Sequence, residues 1–276
     1  MKPKNGNPLK KLVVISGAGG GLGRAITEAY IANGFMVVAT DIKMDLLNDF
    51  QSNKNILPVK MDVTSEEDVK HCARVVNDNY GRLDVLVSNA GIFDFYPVSE
   101  AGADQLKKIF NVNVFGLANL VKYFLPLLIK SKGRLIAISS ESYKVPSPFQ
   151  PYSVSKQVLE KVFDAMRLEL MTKGIKSVII RPGAIRTEIM KRTVQFKPPI
   201  AKTLFNNEFN SFIQSVTKYI GKISSPEQVA KIVLKAGIVK KPKRIYKINH
   251  NPLVTLLSVL PGSLQEKVVI MNLHKQ

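Results

Sequence analysis

The stretch from Lys11 to Gly34 limits the possible folds more than any other part of the chain. Lys11-Leu12-Val13-Val14-Ile15-Ser16 is a β-branched, almost unbroken apolar run, the pattern of a strand covered on both faces. It gives way at once to Gly17-Ala18-Gly19-Gly20-Gly21-Leu22-Gly23 and then to a helix-like segment, Arg24 to Asn33, with Gly34 placed to cap it. A strand buried on both sides needs helices above and below its sheet. This opening therefore predicts an α/β protein with a doubly wound parallel sheet. With 276 residues, 45% of them apolar, the chain can build one large core, and a single domain is expected.

The glycine turn has a chemical use as well as a structural one. Glycines allow the backbone to approach a diphosphate closely and aim the first helical N–H groups at it. Gly17, Gly21 and Gly23 form G-x-x-x-G-x-G and, with Gly19 and Leu22, are the candidate phosphate-binding residues; a merely tight strand-to-helix turn is the plain alternative. Phe35 to Thr40 reads as the second strand, and Asp41 ends it, 18 residues after Gly23. An acid there accepts hydrogen bonds from adenosine ribose hydroxyls and repels a 2′-phosphate, which favours NAD over NADP. Gly20 agrees, since no cation stands inside the loop, whereas Lys43 argues the other way. Asp41 can also serve as an N-cap for the next helix.

Ile56 to Met61 is a third strand, with Asp62 and Val63 at the end where ligands of open parallel sheets sit. Thr64-Ser65-Glu66-Glu67-Asp68 then reads as the capped, acidic start of a helix ending near Gly81. Leu83 to Val87 is the fourth strand, and the turn Asn89-Ala90-Gly91 after it is either a loop or the floor of a cofactor cleft. From Gly102 to Lys132 apolar residues recur at helical spacing, and Pro126 is expected to kink the helix or lie in its last turn. Asn113 interrupts that apolar face, as a structural bridge or as a holder of water near a site. Gly133 to Ile138 is the fifth strand and ends in Ser139-Ser140.

Tyr152 and Lys156 follow at the start of the apolar-periodic run Val158, Leu159, Val162, Phe163, Met166, Leu170. Four residues apart on a helix, phenol and ammonium project from one face. A free tyrosine titrates near ~10, and a cation held beside it favours the phenolate, bringing it toward acid/base work at neutral pH. Taken alone, the pair is equally an ordinary couple of helix neighbours.

Beyond a sixth strand, Ile175 to Arg181, residues 185–224 have weak periodicity and mix Phe196, Phe205, Phe209 and Phe212 with lysines. The segment is expected to cover the cleft and to accept a lipophilic substrate, or else to supply ordinary amphipathic helices. Ser225-Pro226-Glu227 caps a helix through Lys235, and Arg244 to Ile248 is a last strand. The tail, about 249–276, carries the apolar run Pro252 to Pro261, well short of the ~20 residues a spanning helix needs. With Lys267 it can rest on a membrane surface or close over the substrate pocket.

Composition narrows the classes further. The net charge of +19 attracts polyanions, but the basic residues are spread thinly, with no long block and no interleaved aromatics, so no specific nucleic-acid ligand is expected. Cys72 is the single cysteine, and His71, His250 and His274 lie far apart, so neither a disulfide framework nor a metal is expected. The polar, basic start before Leu12 lacks the apolar length of a signal segment. The expectation is a cytoplasmic protein with peripheral membrane contact as its one membrane role.

Taken together, S-G-A-G-G-G-L-G, the acid after the second strand, D-V after the third, N-A-G after the fourth, N-V-N-V-F-G, I-S-S, Y-S-V-S-K and R-P-G-A-I-R-T resemble the short-chain dehydrogenase/reductase family over about residues 11–190. The resemblance implies a Rossmann-like sheet of about seven parallel strands, NAD(P) as cofactor, and alcohol/ketone oxidoreduction. It implies that Asn113 holds a relay water, a serine after the fifth strand binds the substrate oxygen, Tyr152 is the acid/base, and Lys156 binds the nicotinamide ribose and acidifies the tyrosine. The glycine loop, Asp41, Asp62, Val63, Asn89, Ala90 and Gly91 would hold the adenosine half, and Pro182, Gly183, Ile185 and Thr187 would meet the nicotinamide. The family's usual spacing to the tyrosine points to Ser139, thirteen residues back; strand register favours Ser140, twelve back, at the price of one residue deleted from the loop. The tail's N-P-L and L-P-x-x-L resemble the C-terminal extension of hydroxysteroid and retinol dehydrogenases. The expected function is NAD-dependent oxidoreduction of a lipophilic secondary alcohol or ketone, such as a steroid or retinoid, in a homodimer or homotetramer. An NADP-dependent carbonyl reductase and a catalytically silent cofactor sensor are the alternatives.

Overall fold

The computed structural model describes residues 10–145, 147–186, 203–218 and 222–274. Seven strands, β1 (Leu12–Ser16), β2 (Met36–Asp41), β3 (Ile56–Lys60), β4 (Val85–Ser88), β5 (Arg134–Ile138), β6 (Lys176–Pro182) and β7 (Ile245–Ile248), form one sheet in the order β3-β2-β1-β4-β5-β6-β7. Every pairing is parallel. The chain winds one way from β1 to β3 and the other way from β4 to β7, so a crevice opens between the C-terminal ends of β1 and β4.

Alternation along the strands sorts the core into two layers. Val14, Val38, Leu86, Leu135 and Ile179 face α2 (Glu66–Tyr80), α4 (Gly116–Ser131) and α5 (Pro151–Thr172), packing with Val69, Leu120, Phe124 and Phe163. Val13, Ile15, Val37, Val87, Ile136 and Val178 face the other way, toward α1 (Gly21–Ala32) and α7 (Pro226–Ile238), and meet Ile26, Tyr30, Val229 and Val233. The helix α7 starts with a capping box between Ser225 and Gln228, and α2 runs from a Ser65 cap to Gly81 in the left-handed region, φ 67°.

The helical segment between β4 and β5 differs from expectation in one respect. Pro126 neither breaks nor ends α4; it sits on the exposed side, and so does Lys122, one turn back, whose carbonyl would otherwise accept its missing N–H. The interruption falls instead at Asn111–Phe115, a π turn between α3 (Ala103–Phe110) and α4. By length and hydropathy 103–131 is sufficient to cross a bilayer, but its apolar face packs on the sheet through Leu117, Leu120, Phe124 and Leu128. After β6, α6 (Asn206–Lys218) turns Phe209 and Phe212 inward, and α8 (Pro252–Leu257) and α9 (Gly262–Leu273) follow β7. Thr187 and Phe196 lie outside the described residues.

Candidate active site

A cleft of about 820 Å³ opens over the strand ends, and its wall contains Gly17, Gly19, Gly21, Leu22, Gly23, Asp41, Asp62, Val63, Asn89, Ala90 and Gly91. At the opposite end it contains Ser139, Ser140, Tyr152, Lys156, Pro182, Gly183 and Ile185. Residues spread over most of the chain thus converge because each follows a strand of the same parallel sheet.

The glycine loop fits a diphosphate on two counts. Gly17 adopts φ +65°, and a Cβ on Gly23 would stand 1.9 Å from the Gly17 carbonyl oxygen, so the turn closes only with glycine at both ends. A side chain on Gly20 would meet nothing within 4 Å, so this part of the loop faces open space. Meanwhile α1 begins at Gly20 without a side-chain cap and with no acid in its first turn, unlike α2, which has a serine cap and three acids. The first N–H groups of α1 are therefore left for an anionic ligand.

Asp41 does two jobs at this rim. Its carboxylate accepts from Gly19 N (3.1 Å) and Lys43 N (3.1 Å), tying the glycine loop to the end of β2. Each oxygen keeps a further lone pair toward the cleft, where a ribose diol would find it. Asn89 also pins the loop: its Nδ2 donates to Ser16 O (3.0 Å) and Gly17 O (3.1 Å). Asp62 closes its own turn by accepting from Thr64 N and Thr64 Oγ1, both at 2.8 Å, while Val63 packs on Gly116 and accepts from Asn119 through its carbonyl (2.9 Å).

At the other end, α5 starts with Pro151 at its first position and turns Ser155, Lys156, Leu159, Glu160 and Phe163 into the protein. Ser140 Oγ accepts from Ser142 N (3.2 Å) and Ser142 Oγ (3.0 Å) and stands beside the Tyr152 phenol, whose pKa it lowers. Ser139, the next residue inward, is directed the opposite way, donating to Glu160 Oε1 at 2.5 Å. Strand alternation therefore sets Ser140 against the phenol and Ser139 into a buried ion pair of Glu160 with Arg181.

Burial, more than the neighbouring Lys156, sets the phenol's pKa in this structure. The Lys156 Nζ donates to Ile138 O (2.9 Å) and lies 5.5 Å from the Tyr152 ring centroid. Burial pushes the phenol up to about 12, against a smaller lowering by Ser140. Burial also pushes the Lys156 ammonium down to about 8, and the nearby Glu160 charge raises it in part. At neutral pH the pair holds a protonated phenol and a charged lysine.

Asn113 is absent from the cleft wall. Buried in the π turn, it accepts from Ile92 N (2.9 Å) through Oδ1 and donates through Nδ2 to Ile92 O (3.0 Å) and Ser155 Oγ (2.9 Å). Both amide hydrogens are used on protein partners, so the side chain bridges the turn after Gly91 to α5 and has no hydrogen left for a water.

The model of the family described as short chain dehydrogenase matches residues 11–198, more than half of the chain and all of the residues just described up to Gly183. The chain belongs to the short-chain dehydrogenase family. It is an NAD(P)-dependent oxidoreductase of CH–OH groups. It is similar to an NADPH-dependent 3-dehydrocapnine reductase of Ornithobacterium rhinotracheale, 30% identical over 96% of this chain and 98% of that protein. A diacetyl reductase of Staphylococcus epidermidis is 30% identical over 82% of this chain and 90% of its own length. Among solved structures, a short-chain dehydrogenase from Streptomyces avermitilis superposes with a TM-score of 0.79 at 24% identity, covering 98% of this chain and 100% of that one.

Several residues of this dehydrogenase that shape the site escape sequence reasoning. Ser16 Oγ accepts from Asn89 N (3.0 Å) and Ala90 N (3.1 Å), locking the ends of β1 and β4 together. Glu141 accepts from Asn251 N (2.6 Å), fastening the tail to the residue beside Ser140. Phe93 packs on the Tyr152 ring at 4.8 Å and leads through Phe95 to Phe212, Phe149 and Phe209, an apolar lobe running away from the phenol. Ser16, Glu141 and Phe93 carry no local sequence signal, since each acts through a partner distant in the chain.

Proposed function

We propose that this short-chain dehydrogenase uses NAD to interconvert a ketone and a secondary alcohol on a lipophilic molecule of steroid or retinoid character. The observation that carries the reading is the placement of Ser140 beside the Tyr152 phenol in one cleft wall with Phe93 and Phe95. Phe93, Phe95 and Val216 in the cleft wall favour an apolar substrate body whose one polar group lies against the phenol. A bound nicotinamide supplies or accepts the hydride. In the reduction direction Tyr152 gives its proton to the carbonyl oxygen, Ser140 donates a hydrogen bond to the same oxygen, and the Lys156 charge stabilises the phenolate left behind. Phe115, Ile129, Leu168 and Met171 remain exposed on the α4–α5 side, where a second copy of the chain would cover them.

The preference for NAD rests on Asp41, whose buried carboxylate would repel a 2′-phosphate, and on the lack of a cation in the glycine loop. The NADPH dependence in the name of one relative makes the cofactor the point to test. In a fluorescence titration NADH is expected to bind at least about tenfold tighter than NADPH, a difference of about 1.4 kcal/mol. Equal or tighter NADPH binding rejects NAD and leaves the carbonyl-reductase reading.

The pH profile tests the assignment of the pair. Through neutral pH the phenol stays protonated and Lys156 charged, so kcat/KM for ketone reduction is expected to be level there and to fall as pH rises through about 8, where Lys156 loses its charge. A profile that climbs through that range contradicts the need for the ammonium.

A further inference from the structure

We propose that α8 and α9 together form a docking ridge for an anionic phospholipid bilayer. The helix α8 carries Leu253, Val254, Leu256 and Leu257, yet none of its residues is buried. In α9, Gln265, Val269, Asn272 and Leu273 follow one another at helical spacing on the inward side, where Leu273 enters the aromatic cluster with Phe212. Leu264, Val268 and Met271, at i, i+4 and i+7, form a second apolar face that points outward. Leu256 is 62% exposed, Val259 74% and Met271 63%, so large apolar groups stand in water along the whole tail. A helix that is apolar on both faces while buried on only one is not satisfied by its own fold.

The net charge of the chain selects the occupant. At +19, the chain is drawn to a surface of anionic headgroups, which gains from every exposed lysine it meets. Lys267 stands exposed between Leu264 and Met271, with the exposed Glu266 beside it, and its long stem can reach headgroups while those side chains enter the acyl boundary. The ridge is too short to span a bilayer, so it lies in the interface. The inner face of α9 reaches the same aromatic cluster that leads to Phe93, which places the apolar end of the cleft beside the docked surface. The docking itself does not depend on the proposed substrate.

Sedimentation of the full chain with vesicles of phosphatidylglycerol and phosphatidylcholine, against vesicles of phosphatidylcholine alone, tests the ridge. Binding is expected to be at least about tenfold tighter to the anionic vesicles and to weaken with salt. The combined change Leu253→Gln, Leu256→Gln and Val259→Gln, all at exposed positions and neutral in charge, is expected to weaken it at least about tenfold while leaving the rate on a water-soluble ketone unchanged. Absence of vesicle binding overturns the proposal. Vesicle binding that the triple change does not weaken also overturns it, because charge alone would then suffice. A native oligomer that the triple change splits, as read by size-exclusion with light scattering, assigns the ridge to a second copy instead.

Discussion

Tyr152→Phe is expected to lower kcat by about 10³-fold or more, the scale of a lost general acid, while the Kd for reduced dinucleotide stays within about twofold. The substitution removes one oxygen and leaves the ring, so the contact with Phe93 at 4.8 Å and the start of α5 at Pro151 are retained. What disappears is the phenol beside Ser140 that hands a proton to a substrate oxygen at neutral pH, since its pKa near 12 keeps that proton in place until it is transferred. Stopped-flow turnover together with a binding titration separates the two effects. A variant keeping a tenth or more of the native rate removes Tyr152 from the chemistry, and a matching loss of dinucleotide affinity assigns it to binding.

The parts of this site that the sequence made legible are those written locally. The turn from Gly17 to Gly23 needs glycine for reasons confined to a few residues, and the Tyr152–Lys156 spacing follows from helix geometry alone. The seven strands were legible because each is a short apolar run closed by a glycine, an acid or a polar turn. What stayed hidden depends on partners distant in sequence. The family's spacing pointed to Ser139 and strand register to Ser140, the serine the sequence reading chose; the direction of each side chain is set where β5 pairs with β6, through Ser139 N to Ile180 O at 2.8 Å. Lys156 was correctly placed beside Tyr152, yet proximity carries no information about desolvation, and burial outweighs the neighbouring cation in setting the phenol's pKa. The π turn at Asn113 was equally hidden, because its cause is a pair of hydrogen bonds to Ile92, 21 residues away.

Glu160→Ala is expected to destabilise the fold by about 3–5 kcal/mol, because it leaves the Arg181 guanidinium charged and largely buried without its carboxylate. For a domain of this size that loss lowers Tm by roughly 10 °C. The carboxylate gathers three elements: Ser139 after β5 donates to Oε1, Arg181 of β6 donates to both oxygens, and α5 carries it one turn beyond Lys156. Replacing both charges, Glu160→Leu with Arg181→Met, is expected to recover most of the stability, since the cost lies in burying the cation without its carboxylate more than in the missing attraction. The double variant also separates folding from function. Glu160 is the charge that raises the Lys156 ammonium against burial, so its loss moves the lysine's titration below about 8 and with it the alkaline fall of ketone reduction. A double variant that is as stable as the native enzyme and has an unmoved pH profile would show that Glu160 does nothing for the catalytic lysine; a shifted profile at native stability makes it the residue that positions the Lys156 charge.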